Sequence, residues 1–295
     1  MDYFTPLPGL DRPVDFSSST LLLPQPSLAS LAQLGADLII TNFQLTRIGF
    51  LGLRDHVPAV SGLDSLSGQS GFPEGISYSV EVFQTPSKSL TVVLPRSPVI
   101  RARRPHYLAS MKQFIEQGRF KEVLIVAGVD AALRGDEGLN SSSPLRHFLL
   151  PSANPSSLPL QNVSTPYSAT SSSETSTSLS IPLMPHGGLT RKILEALSSP
   201  PVSSQLPPIS TLLIYTFETT EPSTTYFLAD ALAVVLSKDL EGLEEGIERL
   251  TIEEQEQQAM EGGVGGEIKW KVPKSWETGL MGPELASEDR TELFG

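Results

Sequence analysis

The chain has 295 residues, with 21 Lys and Arg against 33 Asp and Glu, a formal net charge of −12. That balance excludes a generic nucleic-acid binder, because counterion release on phosphate needs a basic face and no segment supplies a dominant one. With 39 % hydrophobic and 18 % charged residues the composition supports a core, and the lack of cysteine removes disulfides, thiol catalysis, iron–sulfur clusters and thiolate zinc sites, in keeping with a reducing compartment.

Taken in chain order, residues 1–18 are rich in Pro, Ser and Asp and are expected to be a flexible N-terminus. Met1 to Pro6 lacks the basic and apolar regions of a signal peptide, and no apolar run approaches the ~20 residues of a membrane span, so the chain reads as soluble and intracellular. Thr20-Leu21-Leu22-Leu23-Pro24 predicts a buried strand. Ser27 is placed to cap a helix with Leu28, Leu31, Ala32, Gly35, Leu38 and Ile39 on its core face. Leu45 to Leu51 predicts a second strand, and the Gly- and Ser-rich stretch Ser61 to Gly75 a loop.

Tyr78, Val80 and Val82, then Leu90 to Leu94, predict a hairpin about Thr85-Pro86-Ser87. Pro105 suits the first turn of a helix through Leu108, Met111, Phe114 and Ile115, with Gly118 at its C-terminal cap. Val123 to Ala127 has the apolar, β-branched character of a strand covered on both faces. Residues 151–180 are mostly Ser, Thr and Pro and are expected to be a disordered insertion. Beyond it the pattern predicts a helix from Leu189 to Leu197, a strand from Thr211 to Phe217, and a helix capped by Ser223. The whole predicts one α/β domain over 19–240, a three-layer sandwich whose central, mostly parallel sheet has helices on both faces. Residues 241–295 read as an acidic linker, a Trp-containing segment and a C-terminal tail.

The search for catalytic chemistry is mostly negative. His56, His106, His147 and His186 form no short-range ligand pair such as HExxH. Gly68-Gln69-Ser70-Gly71 lacks the spacing of a nucleophile elbow. His186-Gly187-Gly188-Leu189-Thr190-Arg191-Lys192 reads either as a tight turn into a helix or as backbone N–H groups offered to an anion. Gly262-Gly263-Val264-Gly265-Gly266 lacks the lysine and hydroxyl of a P-loop and reads as a linker. Arg96, Arg101, Arg103 and Arg104 are either a solvated strand end or a contact for an acidic partner. Trp270 and Trp276 suit a strand or strap packed back on the body rather than a nucleic-acid stacking platform. Leu293-Phe294-Gly295 has the hydrophobic–aromatic–any pattern that docks a terminal carboxylate beside a buried ring, with a frayed apolar end as the alternative.

Several segments, in order, resemble the proteasome assembly chaperone 2 family. They are Thr20 to Pro24, Gln33 to Ile40, Arg47-Ile48-Gly49-Phe50, Ser143 to Leu150, Met184-Pro185-His186-Gly187-Gly188-Leu189-Thr190, and Lys269-Trp270-Lys271-Val272-Pro273-Lys274-Ser275-Trp276. The resemblance implies a non-enzymatic chaperone of the cytoplasm and nucleus, with no cofactor, ATP or metal. It implies a heterodimer with proteasome assembly chaperone 1, bound to α-subunits on the outer face of the 20S α-ring, promoting ring assembly and blocking premature activator docking. It implies no nucleic acid or membrane partner. In relatives a hydrophobic–tyrosine–any tail enters pockets between α-subunits, and Leu293, Phe294 and Gly295 match it with Phe294 in the tyrosine position. Two other classes remain open on the residues alone: a phosphorylation-regulated scaffold acting through the insertion, and a hydrolase- or phosphorylase-like α/β enzyme.

Overall fold

The strand Thr20–Pro24 is buried along its whole length and lies near the middle of a nine-stranded sheet. The structure is a computed structural model and describes residues 3–10, 13–64, 75–134, 143–151, 156–167, 181–199, 206–219, 222–240 and 270–278. In chain order the strands are β1 (Phe4–Pro6), β2 (Thr20–Pro24), β3 (Thr46–Leu51), β4 (Val60–Gly62), β5 (Ile76–Tyr78), β6 (Val80–Gln84), β7 (Leu90–Pro95), β8 (Glu122–Asp130), β9 (Leu145–Leu150), β10 (Thr165–Pro166) and β11 (Ile209–Thr216). The helices are α1 (Leu31–Asn42), α2 (Arg104–Gly118), α3 (Thr190–Ser198), α4 (Pro222–Val235) and the short α5 (Lys274–Thr278).

The large sheet runs β1-β3-β6-β7-β2-β8-β11-β9-β10, with β4 and β5 forming a separate two-stranded ribbon. Its centre is parallel, β7 with β2, β2 with β8 and β8 with β11, while β1, β3 and β6 on one flank and β9 on the other join antiparallel. The difference follows from the connections: a tight turn suffices between β6 and β7, whereas parallel strands need a crossover, and α2 supplies the one from β7 to β8, which lie on either side of β2. Strand alternation then splits the core in two. Leu22, Leu124 and Val126 face α1 and α4, while Leu21, Leu23, Val123, Ile125 and Ala127 face α2 and α3. This is the expected three-layer sandwich, with its parallel character concentrated in the middle strands. Gly35 permits the close approach of α1 and α4, since a Cβ there would stand 3.2 Å from Leu228 Cδ2.

Several local expectations change. Residues 1–18 contain an edge strand, with β1 paired to β3, and Phe16 is buried with its ring edge-on to Phe4 at 5.3 Å and to Phe114 at 5.5 Å. Two aromatic rings anchor a segment whose average composition reads as flexible. Part of the 151–180 insertion is also docked. Leu158 and Leu160 are buried, and Glu122 at the start of β8 accepts from Ser156 Oγ at 2.6 Å and Ser157 N at 3.0 Å. A buried carboxylate at that strand end needs donors, and two serines of the insertion supply them. Residues 168–180 lie outside the described residues.

Ser27 makes no capping bond to its helix. Its hydroxyl instead donates to Gln25 O at 3.0 Å and accepts from Gly128 N at 2.8 Å, tying β2 to β8. Ser223 sits inside the first turn of α4 rather than at its cap. After α2 the left-handed position is Arg119, at φ 50°, and Gly118 is required for space, because a Cβ there would lie 2.3 Å from the Phe120 ring. The Trp segment is the expected strap. Trp270 Nε1 donates to Asp230 of α4 at 2.7 Å, the Asn42 side chain exchanges two 2.9 Å bonds with the Lys271 backbone, and Trp276 is buried.

Two buried polar groups fix the sheet to its surroundings. Asp239, just beyond α4, accepts from Thr20 Oγ1 at 2.7 Å and pairs with Lys121 at 3.2 Å. Glu81 on β6 is held by Arg47, by Arg96 Nε at 3.0 Å and by Ser77 Oγ at 2.7 Å. Glu81→Ala leaves two guanidiniums without their shared carboxylate and is expected to cost about 3 kcal/mol in chemical denaturation, at the low end for a broken buried pair because both cations retain some solvent. A loss below ~1 kcal/mol would show that Asp37, also paired to Arg96 at 3.3 Å, suffices alone.

Candidate functional site

In open α/β sheets ligands enter the crevice at the carboxyl ends of neighbouring strands whose following helices lie on opposite faces. Here that place lies between β2, followed by α1 on one face, and β8, whose chain continues to α3 on the other. The segment Met184 to Thr190 closes it. Leu28 N donates to His186 O at 3.2 Å, Asp130 N to Pro185 O at 3.0 Å, and Thr190 Oγ1 to Gly187 O at 2.6 Å. Gly188 adopts φ +65°, and a Cβ there would stand 2.1 Å from Pro26 O; one at Gly128 would stand 2.6 Å from Leu28 O. Backbone rests on backbone where a substrate would otherwise sit. Of the two readings of His186 to Lys192, the tight turn into a helix is the one the geometry supports.

The histidines are engaged singly. His56 is buried edge-on to Tyr107 at 5.3 Å, and its Nδ1 lies 3.2 Å from Gly52 O. Burial lowers its pKa below the usual histidine value. His106 and Arg103 both pair with the buried Asp55, at 2.8 Å and 3.0 Å, and His186 pairs with Asp130 at 3.1 Å. Tyr3 packs edge-on to His106, and burial raises the pKa of its phenol. His147 Nδ1 contacts Ser164 Oγ at 2.9 Å, but that hydroxyl donates to Leu160 O at 2.7 Å, and among the described residues no carboxylate orients the imidazole as the third member of a nucleophilic triad would. Among the described residues no group of three potential ligands is placed to hold a metal, and no helix is long and apolar enough to cross a membrane.

The arginine cluster divides. Arg96 is taken up by Glu81 and Asp37, and Arg103 by Asp55, so two of the four are engaged within the fold. Gly68 to Gly71, Gly262 to Gly266 and the tail Leu293-Phe294-Gly295 lie outside the described residues. Sequence reasoning missed a different place. Leu133, Leu183 and Phe217 expose 62, 63 and 68 % of their surface around Tyr215, at the end of the sheet toward which β8 and β11 run. They come from three separated stretches, so only the topology brings them together.

On this α/β scaffold the crevice is closed by backbone, the titratable groups beside it are engaged in structural pairs, and apolar side chains are exposed at the end of the sheet. No family model matches the chain. The chain is similar in fold to Pyrococcus furiosus PbaA, an archaeal homolog of proteasome-assembly chaperone, with a TM-score of 0.52 at 12 % identity over 88 % of this chain and 92 % of that one. A second crystal form of PbaA gives 0.50 at 12 % identity over 84 % and 97 %. By sequence the chain is similar to proteins named proteasome assembly chaperone 2. It is 32 % identical to the Nematostella vectensis protein of that name over 148 residues, 49 % of this chain and 59 % of the relative. It is 28 % identical to the human protein over 138 residues, 47 % and 52 % of the two chains. The chain thus spans little more than half the length of the curated relatives it matches.

Two measurements check this description. Gly188→Ala is expected to destabilise by about 1–3 kcal/mol, through its positive φ and the clash with Pro26, with no wild-type-like melting temperature. The folded state holds His56 neutral below its ordinary value of 6.5, so the unfolded chain takes up the proton first. Stability is therefore retained above about pH 6.5 and falls as the pH drops below it, with His147 acting in the same direction. Denaturation of His56→Gln between about pH 7.5 and 5.5 is expected to show a shallower slope than wild type; an unchanged slope assigns the effect elsewhere.

Proposed function

We propose that this chain is a proteasome assembly chaperone that acts through its surfaces and performs no catalysis. The filled crevice carries this reading, because the place where an α/β scaffold receives a substrate is occupied by Met184 to Thr190, one of the segments that resemble the chaperone family. The chain pairs with proteasome assembly chaperone 1, and the pair sits on the outer face of the 20S α-ring in cytoplasm and nucleus, promoting ring assembly and holding off activators. No cofactor, nucleic acid or membrane takes part.

The strap supports a role for the tail. Trp270 and Trp276 are buried on the α1 and α4 side, and Ser275 N donates to Asp64 at 3.1 Å, so the chain leaves the body at a fixed place. Residues 279–295 follow and reach at most about 60 Å from it. Leu293, Phe294 and Gly295 then insert into a pocket between α-subunits, Phe294 burying its ring and forgoing the hydrogen bond of a tyrosine, a difference of about 0.5–1.5 kcal/mol. Two weak tails on one dimer bind through effective concentration. Affinity purification of the N-terminally tagged chain is expected to recover α-subunits and one second chaperone, and a version ending at Glu292 to keep the chaperone while losing most of the α-subunits. Recovery of neither by the full chain contradicts the proposal.

A further inference from the structure

The carboxyl ends of β8 and β11 carry a group built about Tyr215. The guanidinium carbons of Arg134 and Arg146 lie 5.5 Å and 5.4 Å from its ring centroid, and the Tyr167 ring lies 6.3 Å away. Tyr167 donates its hydroxyl to Leu183 O at 2.7 Å, and its pKa is pushed up to about 12 by burial and by Tyr215, so it remains a donor. Leu183 is thereby held beside the aromatic pair. Leu133 precedes Arg134 in the chain, and Phe217 lies two residues beyond Tyr215.

Two features distinguish this group from single exposed leucines, which need no explanation. The apolar side chains cluster around stacked Tyr and Arg, the residue types enriched at interface centres. In addition, Arg134 buries its Nε without a hydrogen-bond partner, and among the described residues it belongs to no ion pair. A buried, unpaired guanidinium edge calls for an acceptor from outside the fold. A second copy of this chain is a poor supplier. A two-fold contact sets the patch against its own image, arginine facing arginine, and joins two chains of net charge −12.

Arg146, buried and donating to Ser143 O and Leu145 O, supports Tyr215 from within. We infer that Leu133, Leu183 and Phe217, with Arg134 over Tyr215, form the docking surface for a different protein chain that presents carboxylates around an apolar centre. Its identification with the second chaperone of the pair rests on the proposed function; the surface itself does not.

The test uses the full-length, N-terminally tagged chain in its own cells with a photo-cross-linking phenylalanine analogue at position 217. The expected product is a cross-link to one different chain, the same one that co-purifies stoichiometrically with wild type, through a peptide containing Asp or Glu. Phe217→Ala and Arg134→Glu are expected each to lower its recovery at least about tenfold, with unchanged melting temperatures, while Phe227→Ala on the exposed side of α4 leaves recovery unaltered. A cross-link to residues 135–142 of the same chain, to a second copy, or to an α-subunit overturns the inference, as does unchanged recovery by both variants. If wild type recovers neither α-subunits nor a chaperone, the proposed function fails. The surface then stands only if the two variants lose the cross-linked chain.

Discussion

Burial of β2 on both faces is the constraint on which the rest of the structure depends. Five consecutive residues, Thr20 to Pro24, have no solvent-facing side, so each must find a partner in one of two cores or in a polar anchor. Leu22 commits one face to α1 and α4, and Leu21 and Leu23 commit the other to α2 and α3. Thr20 is satisfied by Asp239, which ties the end of α4 to the strand, and Lys121 joins the same carboxylate. At the opposite end Gln25 N donates to Val126 O, Ser27 accepts from Gly128 N, and Leu28 N donates to His186 O. Displacing β2 would therefore disturb both helical layers, the anchor and the closed crevice together.

That closure leaves this α/β architecture without room at the place where such sheets elsewhere receive a ligand. Gly128 and Gly188 let two backbone segments come together at the carboxyl ends of β2 and β8, removing the volume a ligand would need. The titratable groups nearby are engaged in structural pairs, Asp130 with His186 and Asp55 with Arg103 and His106. Exposed apolar surface lies instead at the periphery, with the ring of Phe217 two residues beyond Tyr215, over which Arg134 sits.

Continuous apolar runs made the central strands legible, because a strand covered on both faces has a sequence as apolar as its surroundings. Proline and glycine marked the ends of α2 and the β6–β7 turn. The failures share a cause, which is that sparse anchors outweigh average composition. Phe4 and Phe16 order a segment rich in Pro and Ser, and a single carboxylate, Glu122, holds Ser156 and Ser157. Ser27 lies at a plausible cap position, yet β8, more than a hundred residues on, claims its hydroxyl. Met184 to Thr190 was recognisable as a motif, but its role as a plug required the sheet order. The patch around Tyr215 had no local signal, since its members meet only through the β8–β11 pairing.

Hydrogen exchange of the full chain, alone and in the presence of proteasome α-subunits and the second chaperone, tests the central claim most directly. The account predicts slowed exchange in residues 131–134, 181–183 and 215–219 and in the tail, with residues 27–28 and 186–190 equally protected in both states. Slowed exchange confined to 27–28 and 186–190 would show that the crevice opens to receive its ligand, and would contradict an account built on surfaces.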